Sequence, residues 1–176
     1  MKKLKLATVW LDGCSGCHMS LLDLDGALIP IVRKVDIVYG PLVDAQEFPE
    51  DVDVTLVEGA ISTQEDVERL REIRARSKML VSLGDCAVTG NVAGLRNVVP
   101  VNKLLQRIYV EGADANPCVP HERLPQLAKQ ARPAQDFVKV DVCLPGCPPQ
   151  NKVIAGLLNN LLEGRKPETG QKIKFG

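Results

Sequence analysis

The sequence predicts an open, mostly parallel β-sheet with helices on both faces. Two observations carry this. Runs of apolar and β-branched residues alternate with helix-patterned segments along nearly the whole chain, as βαβ units require. The apolar runs also end in turns marked by Gly or Pro, which punctuate strands. At 176 residues the chain is long enough to bury one core.

LKLATVWL (4–11) reads as the first strand. The start MKKLKLATVWLDG is basic and then apolar, like a secretion signal. However, the apolar stretch is short, alternates with polar residues, lacks an A-x-A site and runs into Cys14. HMSLLDLDGALI (18–29) reads as a helix and DIVYG (36–40) as the second strand, followed by a loop marked by Pro41 and Pro49. DVTLVEGA (53–60) is the third strand. TQEDVERLREIRARS (63–77) is an amphipathic helix, with Val67, Leu70 and Ile73 at three-residue steps, acidic residues early and Arg late. KMLVSLGD (78–85) is the fourth strand and VNKLLQRIYVEG (101–112) a further helix. Residues 113–135 hold Pro117, Pro120, Pro125 and Pro133 and read as an irregular insertion with a short helix near RLPQLAKQA. FVKVDVCLPG (137–146) is the fifth strand and NKVIAGLLNNLLEGR (151–165) the last helix. Five such strands suggest the flavodoxin-like order 2-1-3-4-5 in a single domain spanning 1–176.

Composition excludes several function classes. Lys plus Arg equals Asp plus Glu at 22 each, which gives no electrostatic case for nucleic acid or an anionic membrane. Aromatic residues are only 3%, too few for base-stacking platforms. No apolar run is long enough to cross a bilayer. The chain is expected in the cytoplasm, where clustered cysteines point to metal or redox chemistry more than to disulfides.

The cysteines carry the chemistry. Cys14 and Cys17 form C-S-G-C after the first strand, Cys86 lies in GDCAVTG after the fourth, and Cys147 in PGCPP after the fifth. Parallel strands bring these loops to one sheet edge, so four thiolates can converge there, the number a 4Fe-4S cluster needs. Gly13 and Gly16 flank the first ligand and let the backbone approach, and Cys17 heads a helix. Two other readings compete. A C-x-x-C between strand and helix, with Trp10 nearby, is also the thioredoxin arrangement, but a dithiol protein needs neither Cys86 nor Cys147. Tetrathiolate zinc usually uses two compact knuckles, whereas here there is one pair and two single cysteines. Cys143 alternates with Val140 and Val142 and is expected in the core. Cys118 is expected in a loop and stays an alternative ligand. His18 is expected to be an exposed helix-start residue, and Asp12, Glu58 and Asp85 to accept backbone amides. Phosphate-loop and dinucleotide glycine motifs are absent, so NAD binding by this chain is not expected.

Together, WLDGCSGC, LVEGA, GDCAVTG and LPGCPP resemble the small subunit of nickel-iron hydrogenases over nearly the whole chain. PGCPP recurs in the related cluster-bearing subunit of respiratory complex I, which has adjacent cysteines in place of C-x-x-C. The pattern is most similar to the short cytoplasmic small subunit of NAD-reducing hydrogenases. That resemblance implies a flavodoxin-like domain with one proximal 4Fe-4S cluster on Cys14, Cys17, Cys86 and Cys147, and no catalytic residue on this chain. It also implies a hetero-oligomer: a large subunit with the Ni-Fe site, reached across an apolar face, and diaphorase subunits with iron-sulfur clusters and FMN that reduce NAD. A related quinone- or ferredoxin-linked complex is the alternative. No loop compels a flavin on this chain. Two departures from the family stand out. With the sequence reaching Gly176 just after its last helix, the C-terminal cluster domain of longer members is not expected. In addition, Gly13 stands where members often carry a glutamate linked to proton movement, so a proton path must run elsewhere.

Overall fold

A computed structural model describes residues 3–165. In chain order, β1 (Leu4–Trp10) leads to α1 (Gly16–Leu22), α2 (Leu28–Val32) and β2 (Val35–Tyr39). β3 (Val52–Glu58) is followed by the short β4 (Ile61–Thr63), α3 (Gln64–Arg76) and β5 (Ser77–Leu83). Then come α4 (Asp85–Thr89), α5 (Asn91–Gly94), α6 (Val101–Gln106), β6 (Leu127–Arg132), β7 (Val142–Leu144) and α7 (Asn151–Leu162). The main sheet has the order β2-β1-β3-β5-β7, every pair parallel. This is the predicted order of the five predicted strands. β4 and β6 pair apart from it, antiparallel.

Period-two alternation splits the core into two layers. Leu6, Val54, Leu56, Val81 and Leu83 face Leu21 and Leu24, Ile31 of α2, and Ile154 and Leu157 of α7. Ala7, Val9, Val57 and Leu80 face Val67, Leu70 and Ile73 of α3. Central β3 is covered on both sides, which explains why it reads as a nearly continuous apolar run.

Helix α3 is closed at both ends. Thr63 and Asp66 form a reciprocal capping box at its start. At its end Arg74 donates from Nη1 to Asp141 Oδ2 (2.5 Å) and from Nη2 to the Ser77 carbonyl (2.6 Å). Asp141 also accepts the Leu80 N–H at 2.8 Å. One carboxylate thus ties the helix, β5 and the residue before β7. Partial burial opposes its ionisation, but the Leu80 N–H and the Arg74 guanidinium outweigh this and hold its carboxyl below the usual 3.8.

Several elements differ from the expectation. The predicted helix over 18–29 is two helices, interrupted by a 3-10 turn at Asp25–Ala27 that begins with Asp25 at φ 47°. The predicted helix near 123–131 is instead strand β6, fixed by distant partners: β4 on one side and Asn97 on the other. Asn97 donates to the Ala131 carbonyl (2.7 Å) and accepts its N–H (2.8 Å), pairing the outer edge as a neighbouring strand would. The fifth strand shrinks to Val142–Leu144, and at its predicted start the Phe137 and Val138 N–H groups donate back to the Ala134 carbonyl of a 3-10 turn instead of to β5. The helix over 101–112 continues past α6 as a π-helical turn, Arg107–Glu111. The stretch from Cys86 to residue 98, to which the sequence assigns no element, folds as α4, α5 and a 3-10 turn. The tail ending at Gly176 lies outside the described residues. No helix among the described residues is long and apolar enough to cross a membrane.

The Asp141 clip predicts a signed pH dependence. Asp141→Asn should cost about 1–2 kcal/mol at neutral pH, the scale of a hydrogen bond to a charged group. The folded carboxyl titrates below the unfolded one, so the wild-type advantage is full above about pH 4 and fades as pH falls. Urea midpoints of both proteins from pH 7 to 3 check this; a constant difference contradicts it.

Candidate functional site

All main-sheet strands point the same way, so the loops after β1, β3, β5 and β7 leave by one edge. Backbone hydrogen bonds lace these loops together. Leu11 N–H donates to the Glu58 carbonyl (2.9 Å), and Ala60 N–H to the Asp12 carbonyl (2.8 Å), joining the β1 exit to the β3 exit. Trp10 Nε1 donates to the Gly13 carbonyl (2.9 Å) and folds the loop back toward its own strand. After β5, Gly84 N–H donates to the Leu144 carbonyl (2.8 Å) and Asp85 N–H to the Gly146 carbonyl (2.9 Å). The Asp85 side chain accepts the Gly146 N–H at 2.7 Å. Ser20 Oγ, one turn after Cys17, donates to the Pro149 carbonyl at 2.6 Å. The three cysteine-bearing loops are therefore bonded to each other and not merely adjacent.

Glycine makes the closest approach possible. Gly84 has φ +84°, and a Cβ there would lie 2.2 Å from Cys17 Sγ. No side chain other than hydrogen leaves that sulfur its seat. A Cβ at Gly16 would stand 3.2 Å from Cys14 Sγ. Cys17 is buried, Cys86 is half-buried, and Cys14 and Cys147 are exposed, so the four thiols run from the interior to the surface.

They also act on each other. Burial pushes the Cys17 thiol up to about 12, with further increments from Glu58, Cys86, Cys14 and Cys147. Burial raises the Cys86 thiol as well, followed by Cys147 and Cys14, against a hydrogen bond from Asn91 that lowers it. Four thiolates here would repel each other, and a cationic centre among them would relieve that. Among the described residues no three His, Cys, Asp or Glu side chains gather around a point suited to one metal ion.

Glu58, only 1% exposed, closes the floor of the site. It accepts the His18 backbone N–H at 3.0 Å and makes a second, very short contact with His18 Nδ1. His18 is thus not the exposed residue expected. Its side chain is 15% exposed, because the first turn of α1 packs onto the end of β3. Its Nε2 is buried with no hydrogen-bond partner. Asp85 accepts a backbone amide as expected, whereas Asp12 takes the Ser62 hydroxyl. A Cβ on Gly13 would stand 3.1 Å from Gly59 Cα and 3.4 Å from Glu58 Oε1. Of the acidic side chains, it is therefore Glu58 that lies beside the position where glutamate is common in the resembled family.

Two further cysteines lie outside the cage. Cys143 is exposed and not in the core: Val142 and Leu144 face the layer under α7, and the intervening thiol on this edge strand points away. Cys118 is exposed in the Pro-rich loop, as expected. Sequence reasoning missed Asn91, whose Nδ2 donates to Cys147 Sγ at 3.4 Å. Nothing in GDCAVTGN marks it. Only the fold brings residue 91 to residue 147.

The Gly84–Cys17 contact can be tested by a double-mutant cycle. Gly84→Ala should cost more than about 1 kcal/mol, from the positive φ alone and then from the clash. Part of that cost should disappear when Cys17→Ala is combined with it. Denaturant midpoints of the four proteins give the coupling; strict additivity would mean that the contact is not tight.

The family and the fold recur among known proteins. Residues 14–161 match the NADH ubiquinone oxidoreductase, 20 kDa subunit family. The chain is 41% identical over 171 residues to a subunit of the F420-non-reducing hydrogenase vhu of Methanocaldococcus jannaschii, covering 96% of this chain and 59% of that one. It thus spans about three fifths of the length of that relative. It is 38% identical to the delta subunit of the NAD-reducing hydrogenase HoxS of Cupriavidus necator, covering 93% of this chain and 80% of that one. A chain in the crystal structure of an NAD+-reducing [NiFe]-hydrogenase in the H2-reduced state superposes with a TM-score of 0.93 at 36% identity, over 99% of this chain and 100% of that one. The fold alone extends to a [NiFeSe]-hydrogenase of Dm. baculatum, at 21% identity and a TM-score of 0.62. With the matched segment running from the first cysteine of the C-x-x-C pair to α7, the chain belongs to the family of the NADH ubiquinone oxidoreductase 20 kDa subunit, and hydrogenase subunits are among its relatives.

Proposed function

We propose that this chain is the electron-transfer small subunit of a cytoplasmic nickel-iron hydrogenase, and that Cys14, Cys17, Cys86 and Cys147 hold its proximal 4Fe-4S cluster. The observation that carries this reading is the convergence of three hydrogen-bonded loops on four mutually interacting thiols, one of them seated against Gly84. Such a cluster, when bound, supplies a one-electron relay. The chain's own residues do the rest. Gly84 and Gly16 leave room for sulfur, and Asp85 and Ser20 lock the loops. Glu58 fixes the first turn of α1 through His18.

The partners in this reading are a large subunit with the Ni-Fe site, where hydrogen is split, and diaphorase subunits with iron-sulfur clusters and FMN that pass electrons to NAD. Exposed apolar residues border the site: Trp10, Met19 and Leu22 beside the cysteine pair, and Val92 and Leu95 after Cys86. They suit a buried subunit interface. Likeness to an NAD+-reducing enzyme across 99% of this chain supports NAD as the acceptor. A second reading, a complex with a different electron acceptor, is favoured by the 41% identity to a subunit of an F420-non-reducing hydrogenase.

Anaerobic purification of the native complex, followed by iron, sulfide and zinc analysis, tests the proposal. Cys147→Ser should lose the iron and sulfide of one cluster and stop hydrogen-dependent NAD reduction, while Cys143→Ser should retain both. Zinc in place of iron, or iron loss from Cys143→Ser but not Cys147→Ser, would refute the ligand set. Hydrogen oxidation that reduces another acceptor but not NAD would select the second reading.

A further inference from the structure

We propose that the side-chain amide of Asn91 is an N–H donor to the ligand sulfur of Cys147, and that it raises the reduction potential of the cluster that Cys147 helps to hold. The proposal rests on the reading that this thiol is a cluster ligand.

The placement is specific. Cys86 lies in α4, which ends at Gly90 with φ +86°. Asn91 follows with φ +32° and opens α5. Asparagine is among the few residues with a side chain that adopt positive φ at modest cost. The double turn carries the Asn91 side chain back over the cysteine edge, with Nδ2 3.4 Å from Cys147 Sγ. Among the described residues no other side chain donates a hydrogen bond to the sulfurs of Cys14, Cys17, Cys86 or Cys147.

One-electron reduction makes and breaks no bond. The electron arrives from the hydrogen-oxidising partner and leaves toward the NAD-reducing one. While it resides on this chain the sulfurs carry more negative charge, so an N–H donor stabilises the reduced form more than the oxidised form. Asn91 acts on the potential and takes no part in hydrogen or NAD chemistry.

The test is a redox titration of the purified complex, following by electron paramagnetic resonance the signal that Cys147→Ser removes. Asn91→Gly removes the amide while keeping a residue suited to the left-handed turn. Asn91→Asp keeps the shape and puts a carboxylate where the donor was. The midpoint should fall in Asn91→Gly and fall further in Asn91→Asp. In the latter the reduced-to-oxidised ratio at a fixed potential should change about tenfold, equivalent to about 59 mV for one electron. Iron content should not change. A midpoint unchanged or raised in both variants overturns the proposal and leaves the cluster assignment standing. Loss of iron from Asn91→Gly overturns it too, by making Asn91 a scaffold residue. A native complex with no cluster on these cysteines overturns both this inference and the cluster reading.

Discussion

Asp85 joins two parts of the chain sixty residues apart. Its N–H donates to the Gly146 carbonyl and its carboxylate accepts the Gly146 N–H, while Gly84 beside it donates to Leu144. These bonds make the exit of β5 and the turn after β7 one rigid unit. Cys86 stands on one side of it and Cys147 on the other. The same Gly84 receives the sulfur of Cys17 against its bare α-carbon. The relative positions of three of the four thiols therefore depend on a few backbone contacts at one strand end. The parallel sheet is what makes this possible, since it returns every crossover to the same edge.

That edge is electrostatically unfavourable on its own. Burial and neighbouring thiols both resist ionisation of Cys17 and Cys86, and the buried Glu58 adds to the resistance at both. Four thiols gathered where ionisation is disfavoured support the proposal of a positively charged guest. The gradation from buried Cys17 to exposed Cys14 and Cys147 fits a relay with one end inside the chain and the other at a partner surface. Iron-sulfur chemistry needs both the insulation and the exit.

Much of this was legible in the sequence. Strand runs and turn glycines suffice for the sheet and its order, because each is a local pattern joined by a topological rule, and the cysteine spacing suffices to put four thiols on loops at one sheet edge. The failures have a common cause, which is that the deciding partner is distant. β6 reads as helical because its pairing with β4 and its clasp by Asn97 leave no mark on residues 127–132. His18 reads as exposed because Glu58 is forty residues away. Cys143 alternates correctly, but alternation does not say whether an edge strand is covered on both faces. Asn91 falls in a turn that sequence rules treat as punctuation, and its role depends on Cys147 across the fold.

Enclosure of one iron-sulfur cluster by four cysteines from three loops is tested most directly by anomalous diffraction from anaerobic crystals of the native complex, collected on both sides of the iron edge. One compact iron feature in contact with the sulfurs of Cys14, Cys17, Cys86 and Cys147 is expected. An anomalous signal at the zinc edge instead, or iron density in contact with Cys118 or Cys143, would contradict it.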